Sequence, residues 1–326
     1  MIRIGIAGYG NIGRGVEAAV TNAPDMEIAA VFTRRDPSSV STVTNAKVMT
    51  YDDMDSMKDN VDVMIICAGS ATDLPWMSPE IAGKFNIVDS FDNHTKIPEH
   101  FKNVDEAAKA AGTTGAISCG WDPGYFSISR LYAEAALPEG ASYTFWGRGV
   151  SQGHSDAVRR IEGVADARQY TVPVEEALDR VRAGEHPEFT KREMHLREVY
   201  VVAEEGADKA KIEEAIKTMP DYFEPYDTTV HFISQEEMAA DHMGLPHGGK
   251  VIRSGKTGLK GEFNNTVEFG LDLDSNPYFT GSILVAAARA ICRLSAEGKT
   301  GAFTMFDIPP AYLYAGTHDD LLAHML

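Results

Sequence analysis

An α/β fold, a doubly wound parallel sheet followed by an α+β domain, is predicted by three features of the sequence. Short apolar runs alternate with helical stretches over the first third of the chain. A glycine-rich turn joins the first of these runs to the first helix, and after Trp121 the pattern changes to strands that alternate apolar and polar residues.

Residues 2–7, 26–32, 61–68, 86–90 and 114–119 are rich in Ile, Val and Ala and short enough to be strands. Residues 13–21, 76–84 and 100–111 lie between them with helical patterns. Strands apolar on both faces belong to a parallel sheet covered by helices on both sides. Beyond Trp121 a helix at 126–136 leads to a strand ending in Phe145-Trp146-Gly147, then to a short helix at 155–163. Residues 195–203, 228–234, 250–254 and 263–273 read as further strands, several with the alternation of an antiparallel sheet that has one wet face. A helix at 279–297 closes this region, with Gly298 as its C-terminal stop. The predicted organisation is a first domain at 1–121, a second at 122–298 and a tail at 299–326 that returns to pack on the first.

A chain of 326 residues supports two compact domains. A net charge of −18 argues against nucleic acid, whose binders need a basic face. Cys67, Cys119 and Cys292 form no C-x-x-C pair, which suits a reducing compartment and gives neither a disulfide framework nor a zinc site. Residues 2–8 are too short for a signal peptide. The longest apolar helical run, 283–291, contains Arg289 and reads as too short to cross a bilayer. The expectation is a cytoplasmic protein with no membrane and no nucleic-acid partner. The ten histidines include no H-E-x-x-H pair, so no metal is expected.

Gly8-Tyr9-Gly10-Asn11-Ile12-Gly13 fits G-x-G-x-x-G between the first strand and the first helix. Gly8 permits the tight turn, Gly10 lets a pyrophosphate reach the backbone and Gly13 allows close helix–strand packing, with the phosphates at a helix N-terminus. This is the Rossmann fingerprint. An NAD-binding chain places Asp or Glu at the end of the second strand to accept from the ribose 2′-hydroxyl. Here Thr33-Arg34-Arg35 stands there, and two guanidiniums suit the 2′-phosphate of NADP or NADPH. Cys67-Ala68-Gly69-Ser70 ends a later strand with small residues that let a cofactor approach.

Further groups stand at strand ends or turns: Ser90-Phe91-Asp92-Asn93-His94, Gly120-Trp121-Asp122-Pro123-Gly124, Phe145-Trp146-Gly147 and Ser151-Gln152-Gly153-His154-Ser155-Asp156. Each alone has an ordinary explanation as a turn, a helix cap or core packing. Together with Gln169-Tyr170-Thr171, Met219-Pro220-Asp221-Tyr222-Phe223, Pro246-His247-Gly248-Gly249 and Gly301-Ala302-Phe303-Thr304, they make the whole chain resemble the meso-diaminopimelate dehydrogenases.

That resemblance implies NADP-dependent, reversible oxidative deamination of the D-centre of meso-2,6-diaminopimelate to L-2-amino-6-oxopimelate and ammonia. It places Asp92 and Asp122 at the reacting amino group as the catalytic pair, Trp121 and Trp146 against the substrate, and Gln152, Gly153 and Asp156 along the site. Thr171, Arg197, His247 and Asn276 would hold the distal L-centre. The implied cofactor contacts extend to Ser90, Phe91, Asp92, Trp121, Asp122, Pro123, Gly124 and Tyr125. Either aspartate could act as the base if partly desolvated. The resemblance also implies a homodimer built through the second, substrate-binding domain.

Three other readings compete. Gly149-Val150-Ser151-Gln152-Gly153 fits the G-x-S-x-G elbow of a hydrolase, with His247 downstream. A non-catalytic NADP-binding sensor would keep the nucleotide site alone. A related reductase would act on another small amino diacid.

Overall fold

The computed structural model describes all 326 residues. The chain opens with β1 (Ile2–Ala7), α1 (Asn11–Thr21), β2 (Met26–Thr33) and β3 (Val48–Thr50). Next come β4 (Val63–Ile66), α2 (Leu74–Ala82), β5 (Ile87–Asp89), α3 (Ile97–Ala111), β6 (Thr114–Ala116) and α4 (Tyr125–Ala136). The middle holds β7 (Gly140–Trp146), β8 (Gly149–Val150), α5 (Gln152–Arg159), β9 (Val164–Pro173), α6 (Glu175–Arg182) and α7 (Lys191–Met194). It continues through β10 (His195–Ala203), α8 (Lys209–Lys217), β11 (Asp227–Phe232), α9 (Gln235–Asp241), β12 (His247–Thr257) and β13 (Phe263–Leu273). The chain ends with α10 (Asn276–Ala296), β14 (Gly301–Phe303), α11 (Pro310–Leu313) and α12 (His318–His324). Two compact units result: Met1–Ile128 together with Pro277–Leu326, and Ser129–Asn276.

The first unit is built on a seven-stranded parallel sheet of order β14-β6-β5-β4-β1-β2-β3. Its strands look uniformly apolar because both faces are buried. Ile4, Ile6, Val31, Val63 and Ile65 pack on the α1 side, and Ala30, Phe32, Met64 and Ile66 on the side of α2 and α3. The returning tail supplies β14 beside β6, and Thr114 Oγ1 donates to Lys299 O at 2.6 Å.

The expected boundary at 122–298 needs correcting at both ends. α4 begins in the first unit, and almost all of α10 belongs there as well. Leu284, Val285, Ala287, Ala288, Ala290, Ile291 and Leu294 of α10 join the core of β1, β2 and β4. Glycines allow the close approach of α10 to α1. A Cβ on Gly281 would lie 2.4 Å from the Gly15 carbonyl carbon, and one on Gly15 would lie 2.4 Å from Pro277 O. Arg289 is 5% exposed and grips Asp25 through Nε at 2.6 Å and Nη2 at 2.8 Å. The reading of this run as too short to span a bilayer is also corrected. By length and composition the 21-residue helix could span one, and its apolar residues are instead core.

The second unit holds two sheets, of order β11-β10-β9-β8 and β13-β12-β7. The expected antiparallel pairing holds for β12 with β7 and β13 and for β9 with β8 and β10. β10 and β11 pair in parallel, because α8 lies in the connection between them. The helix expected at 155–163 spans Gln152–Arg159, since Ser151 caps it by accepting from His154 N. Val158, Ile212, Ile216 and Phe223 cover one face of β9 and β10. Ala177, Leu178 and Val181 of α6 pack on Phe145 and Ile252 of the other sheet.

Candidate active site

The carboxyl edge of the parallel sheet presents a pocket of about 310 Å³ lined by Gly8, Tyr9, Gly10, Thr33, Arg34, Arg35, Cys67, Ala68 and Gly69, with Phe32, Tyr51, Asp73 and Met77 completing it. The three fingerprint glycines have separate physical reasons. Gly8 has φ +98°, and a Cβ there would lie 2.6 Å from Cys67 O. A Cβ on Gly13 would lie 2.4 Å from Gly8 O. A Cβ on Gly10 would meet no protein atom within 4 Å, so what needs a glycine there is whatever docks above it. α1 starts at Asn11 and Ile12 with no side-chain cap and no acidic residue in its first turn, leaving backbone N–H groups directed at an anion. These features fit a pyrophosphate.

The arginine pair is ordered by its neighbours. Arg35 Nη2 donates to Tyr9 O at 2.8 Å, and its N–H donates to Thr33 Oγ1 at 3.1 Å. Arg34 pairs with Asp73 at 2.9 Å and lies 5.9 Å from the Trp76 ring centre. The Asp36 carboxylate is turned away onto Ser38 N and Oγ. Tyr9 is anchored through its hydroxyl to Glu17, which is 1% exposed and also accepts from Thr44 N at 2.7 Å and Val43 N at 3.2 Å. Cys119 is fully buried and Cys67 nearly so, and burial raises both thiols well above the ordinary range, away from the thiolate form that a nucleophile needs.

Three loops follow β4, β5 and β6 on this edge. Ser70 Oγ accepts from Asp92 N at 2.9 Å, joining the first two. Asp92 is exposed and Ser90 and Asp122 are half-buried, so the desolvation expected of a general base is absent at Asp92. The Phe91 ring is 2% exposed and stacked on His100 at 4.1 Å, so what Phe91 presents to the sheet edge is mainly its backbone. Trp121 is buried edge-on to Phe126. Pro123 and Gly124 complete a tight turn in which a Gly124 Cβ would lie 2.0 Å from Gly120 O, and Tyr125 N donates to that same oxygen at 2.9 Å. The Tyr125 ring is 49% exposed and edge-on to Phe279.

The remaining expected substrate residues lie on the second unit. Arg197 and Thr171 face each other across β10 and β9 and are hydrogen-bonded. Arg197 is 7% exposed, pairs with no carboxylate and lies 3.9 Å from the Tyr226 ring centre. Its Nε and the Gln169 Oε1 beside it in the sheet are buried without partners. Burial pulls its pKa below the ordinary arginine value, as expected of a guanidinium prepared for an anion. Trp146 is 38% exposed, stacks on His195 at 5.4 Å and donates its backbone N–H to His195 Nε2 at 2.9 Å. Burial, and then the Arg197 charge, lower His195 and His154 to about 4, so both are neutral imidazoles. His247 Nδ1 accepts from Gly248 N at 2.8 Å, and Asn276 N donates to Leu245 O at 2.9 Å. Gln152 and Gly153 are exposed at the start of α5, whereas Asp156 is paired with Arg159. Tyr226 and His195 stood in no sequence motif, and Gln169 and His154 stood in motifs without an assigned role, because only tertiary packing brings these four to Arg197 and Trp146.

The hydrolase elbow is overturned. Ser151 Oγ does lie 2.7 Å from His154 Nδ1, but the preceding strand β8 has two residues and pairs antiparallel with β9. A nucleophile elbow needs a strand of a parallel sheet.

Residues 120–275 match the family described as "Diaminopimelic acid dehydrogenase C-terminal domain", and residues 2–107 match the "Oxidoreductase family, NAD-binding Rossmann fold". A meso-diaminopimelate D-dehydrogenase of Ureibacillus thermosphaericus is 58% identical over 100% of this chain and 99% of that protein. The solved structure of a sextuple mutant meso-dapdh with DAP, from Clostridium tetani, covers 100% of both chains at 54% identity and TM-score 0.93. An engineered D-amino acid dehydrogenase bound to NADP+ covers 100% of this chain and 99% of its own at 45% identity and TM-score 0.86. The fold and the nucleotide edge define a dinucleotide-dependent oxidoreductase. Within that class, the chain belongs to the meso-diaminopimelate D-dehydrogenase family.

Proposed function

We propose that this enzyme catalyses the reversible, NADP-dependent oxidative deamination of the D-centre of meso-2,6-diaminopimelate. The observation that carries the reading is the buried Arg197, which lacks a carboxylate of its own in a chain whose relatives act on a diacid. NADP+, when bound, supplies the hydride acceptor. Arg34 and Arg35 hold its 2′-phosphate, and the α1 N-terminus with Gly10 receives the pyrophosphate.

Arg197 and Thr171 bind the distal carboxylate, and His247 and Asn276 complete recognition of the L-centre. Asp92 and Asp122 serve the D-centre, with Trp121 and Trp146 packing against the substrate and Gln152, Gly153 and Asp156 along its path. One aspartate takes the proton that leaves the D-ammonium group, so that the amine lone pair forms the C=N bond as the Cα–H bond breaks. Water then adds to the iminium carbon, and a carboxylate accepts one of its protons and passes it to the amino nitrogen. The C–N bond breaks as the remaining hydroxyl proton departs, giving the oxo acid and ammonia. Positioning of the Cα–H accounts for much of the acceleration.

A homodimer joined through the second unit agrees with β13, an 11-residue edge strand whose Phe263 and Phe269 are exposed. A cytoplasmic setting agrees with three free cysteines.

The test is NADP+ reduction with meso-, LL- and DD-diaminopimelate and with simple D-amino acids. Turnover of meso-diaminopimelate, none of the LL isomer, and weaker use of NAD+ are expected. Equal rates with the LL isomer would remove the reading.

A further inference from the structure

The carboxylate of Asp89, the last residue of β5, is completely buried. A buried carboxylate persists only when its oxygens are satisfied, and this one has four partners. Oδ1 accepts from Phe91 N at 3.1 Å and from Ser118 N at 2.9 Å. Oδ2 accepts from Ser78 Oγ at 2.6 Å and lies 2.7 Å from His100 Nε2. The Asp89 main-chain oxygen accepts from Cys119 N at 2.8 Å.

The two oxygens do different work. Oδ2 anchors the side chain to α2 and α3, because Ser78 and His100 belong to those helices. Oδ1 joins two loops. Phe91 is the residue before Asp92, and Ser118 is four residues before Asp122. Ser118 has φ +55°, a left-handed conformation that non-glycine residues seldom adopt, and its N–H is held by Asp89. Ser70 Oγ secures the far side of the first loop through Asp92 N. Beyond the pairing of β5 with β6, the buried Oδ1 and the main-chain bond from Cys119 N therefore tie the bases of the two aspartate-bearing loops to one residue.

We propose that Asp89 is a positioning residue that sets Asp92 and Asp122 relative to each other for the reaction at the D-centre. This rests on the reading of those two aspartates given above, so turnover of meso-diaminopimelate by the unaltered enzyme is measured first. Its failure would count against that reading and not against the loop clamp.

Asp89→Asn keeps the volume and an oxygen acceptor but removes the charge that strengthens both Oδ1 bonds. It is expected to lower kcat about 5- to 20-fold, since small misplacements of reacting groups are costly. NADPH affinity, read by fluorescence, stays within about two-fold, and the deuterium isotope effect at the D-centre rises as the chemical step slows. Ser78→Ala touches only Oδ2 and should lower Tm while leaving kcat within about two-fold. Asp89→Glu keeps the charge and displaces it by one methylene. It takes the place of the Asn variant if that one does not fold, with the same loss expected. The proposal is overturned by a kcat within about two-fold in the folded Asp89 variant, by a matching loss of NADPH affinity, or by an equal kcat loss in Ser78→Ala.

Discussion

Arg197 shows how a single residue can be decisive once its surroundings are known. In the sequence it is one arginine in an alternating strand, and its ordinary explanation is a solvated strand surface. In the structure it is 7% exposed, bonded to Thr171 and laid on Tyr226, with its Nε unpartnered. A buried charge without a counter-ion is costly, and an incoming carboxylate removes that cost. Arg197→Met should therefore raise KM for meso-diaminopimelate about 10²- to 10³-fold while kcat changes far less, because the lost contact is made equally in ground and transition states. Tyr226→Leu removes a cation–π contact and some rigidity, so a smaller KM increase of about 3- to 10-fold is expected. Initial-rate kinetics on the purified variants check both. A fall in kcat with KM unaltered would reassign Arg197 to the chemical step.

At the scale of elements, the crossing of α1 and α10 sets the shape of the first unit. Gly281 and Gly15 leave no room for a side chain between them. Gly281→Ala should push the helices apart and cost about 1–3 kcal/mol, lowering Tm by several degrees. Gly153→Ala, where a Cβ meets nothing within 4 Å, should leave Tm unchanged or slightly higher. Comparable Tm losses in the two variants would mean that steric crowding does not set this crossing.

The same crossing explains what the sequence could and could not reveal. The strands of the first sheet were legible because both of their faces are apolar, and the nucleotide edge because its glycines answer local backbone demands. The membership of α10 in the first unit was not, since it depends on contacts between residues far apart in the chain, such as Arg289 with Asp25. β9 was missed because it buries Gln169 and Thr171 beside the arginine, which breaks the apolar signature of a core strand. Asp89 was invisible for a related reason. Its role lies in two backbone N–H groups, and backbone partners leave no mark on composition.

For the whole molecule, acidity and the neutral imidazoles make opposing demands as pH falls. The net charge of −18 becomes less negative on acidification, which relieves self-repulsion in the compact state. His154 and His195 act the other way. In the fold they take up a proton only near pH 4, whereas in the unfolded chain they do so near the ordinary value of 6.5. The unfolded state therefore binds more protons between those limits. Their contribution is complete above about pH 6.5 and is lost progressively down to about pH 4. It amounts to at most ~3 kcal/mol for a well-buried histidine such as His195. Glu268, lowered to about 2 by Arg182 and Lys250, loses its contribution only at lower pH, below the ordinary carboxylate value of 4.5. Between pH 7 and 5 the imidazoles thus provide the slope that a side-chain change can isolate. Urea unfolding at pH 7.5, 6.5, 5.5 and 5.0 should show the unaltered protein losing stability across the series. His195→Gln should start lower, because the bond from Trp146 N is disturbed, and should decline less steeply. The general charge term is common to both proteins, so the difference in slope reports the imidazole alone. Parallel curves would mean that His195 is not held neutral by burial beside Arg197.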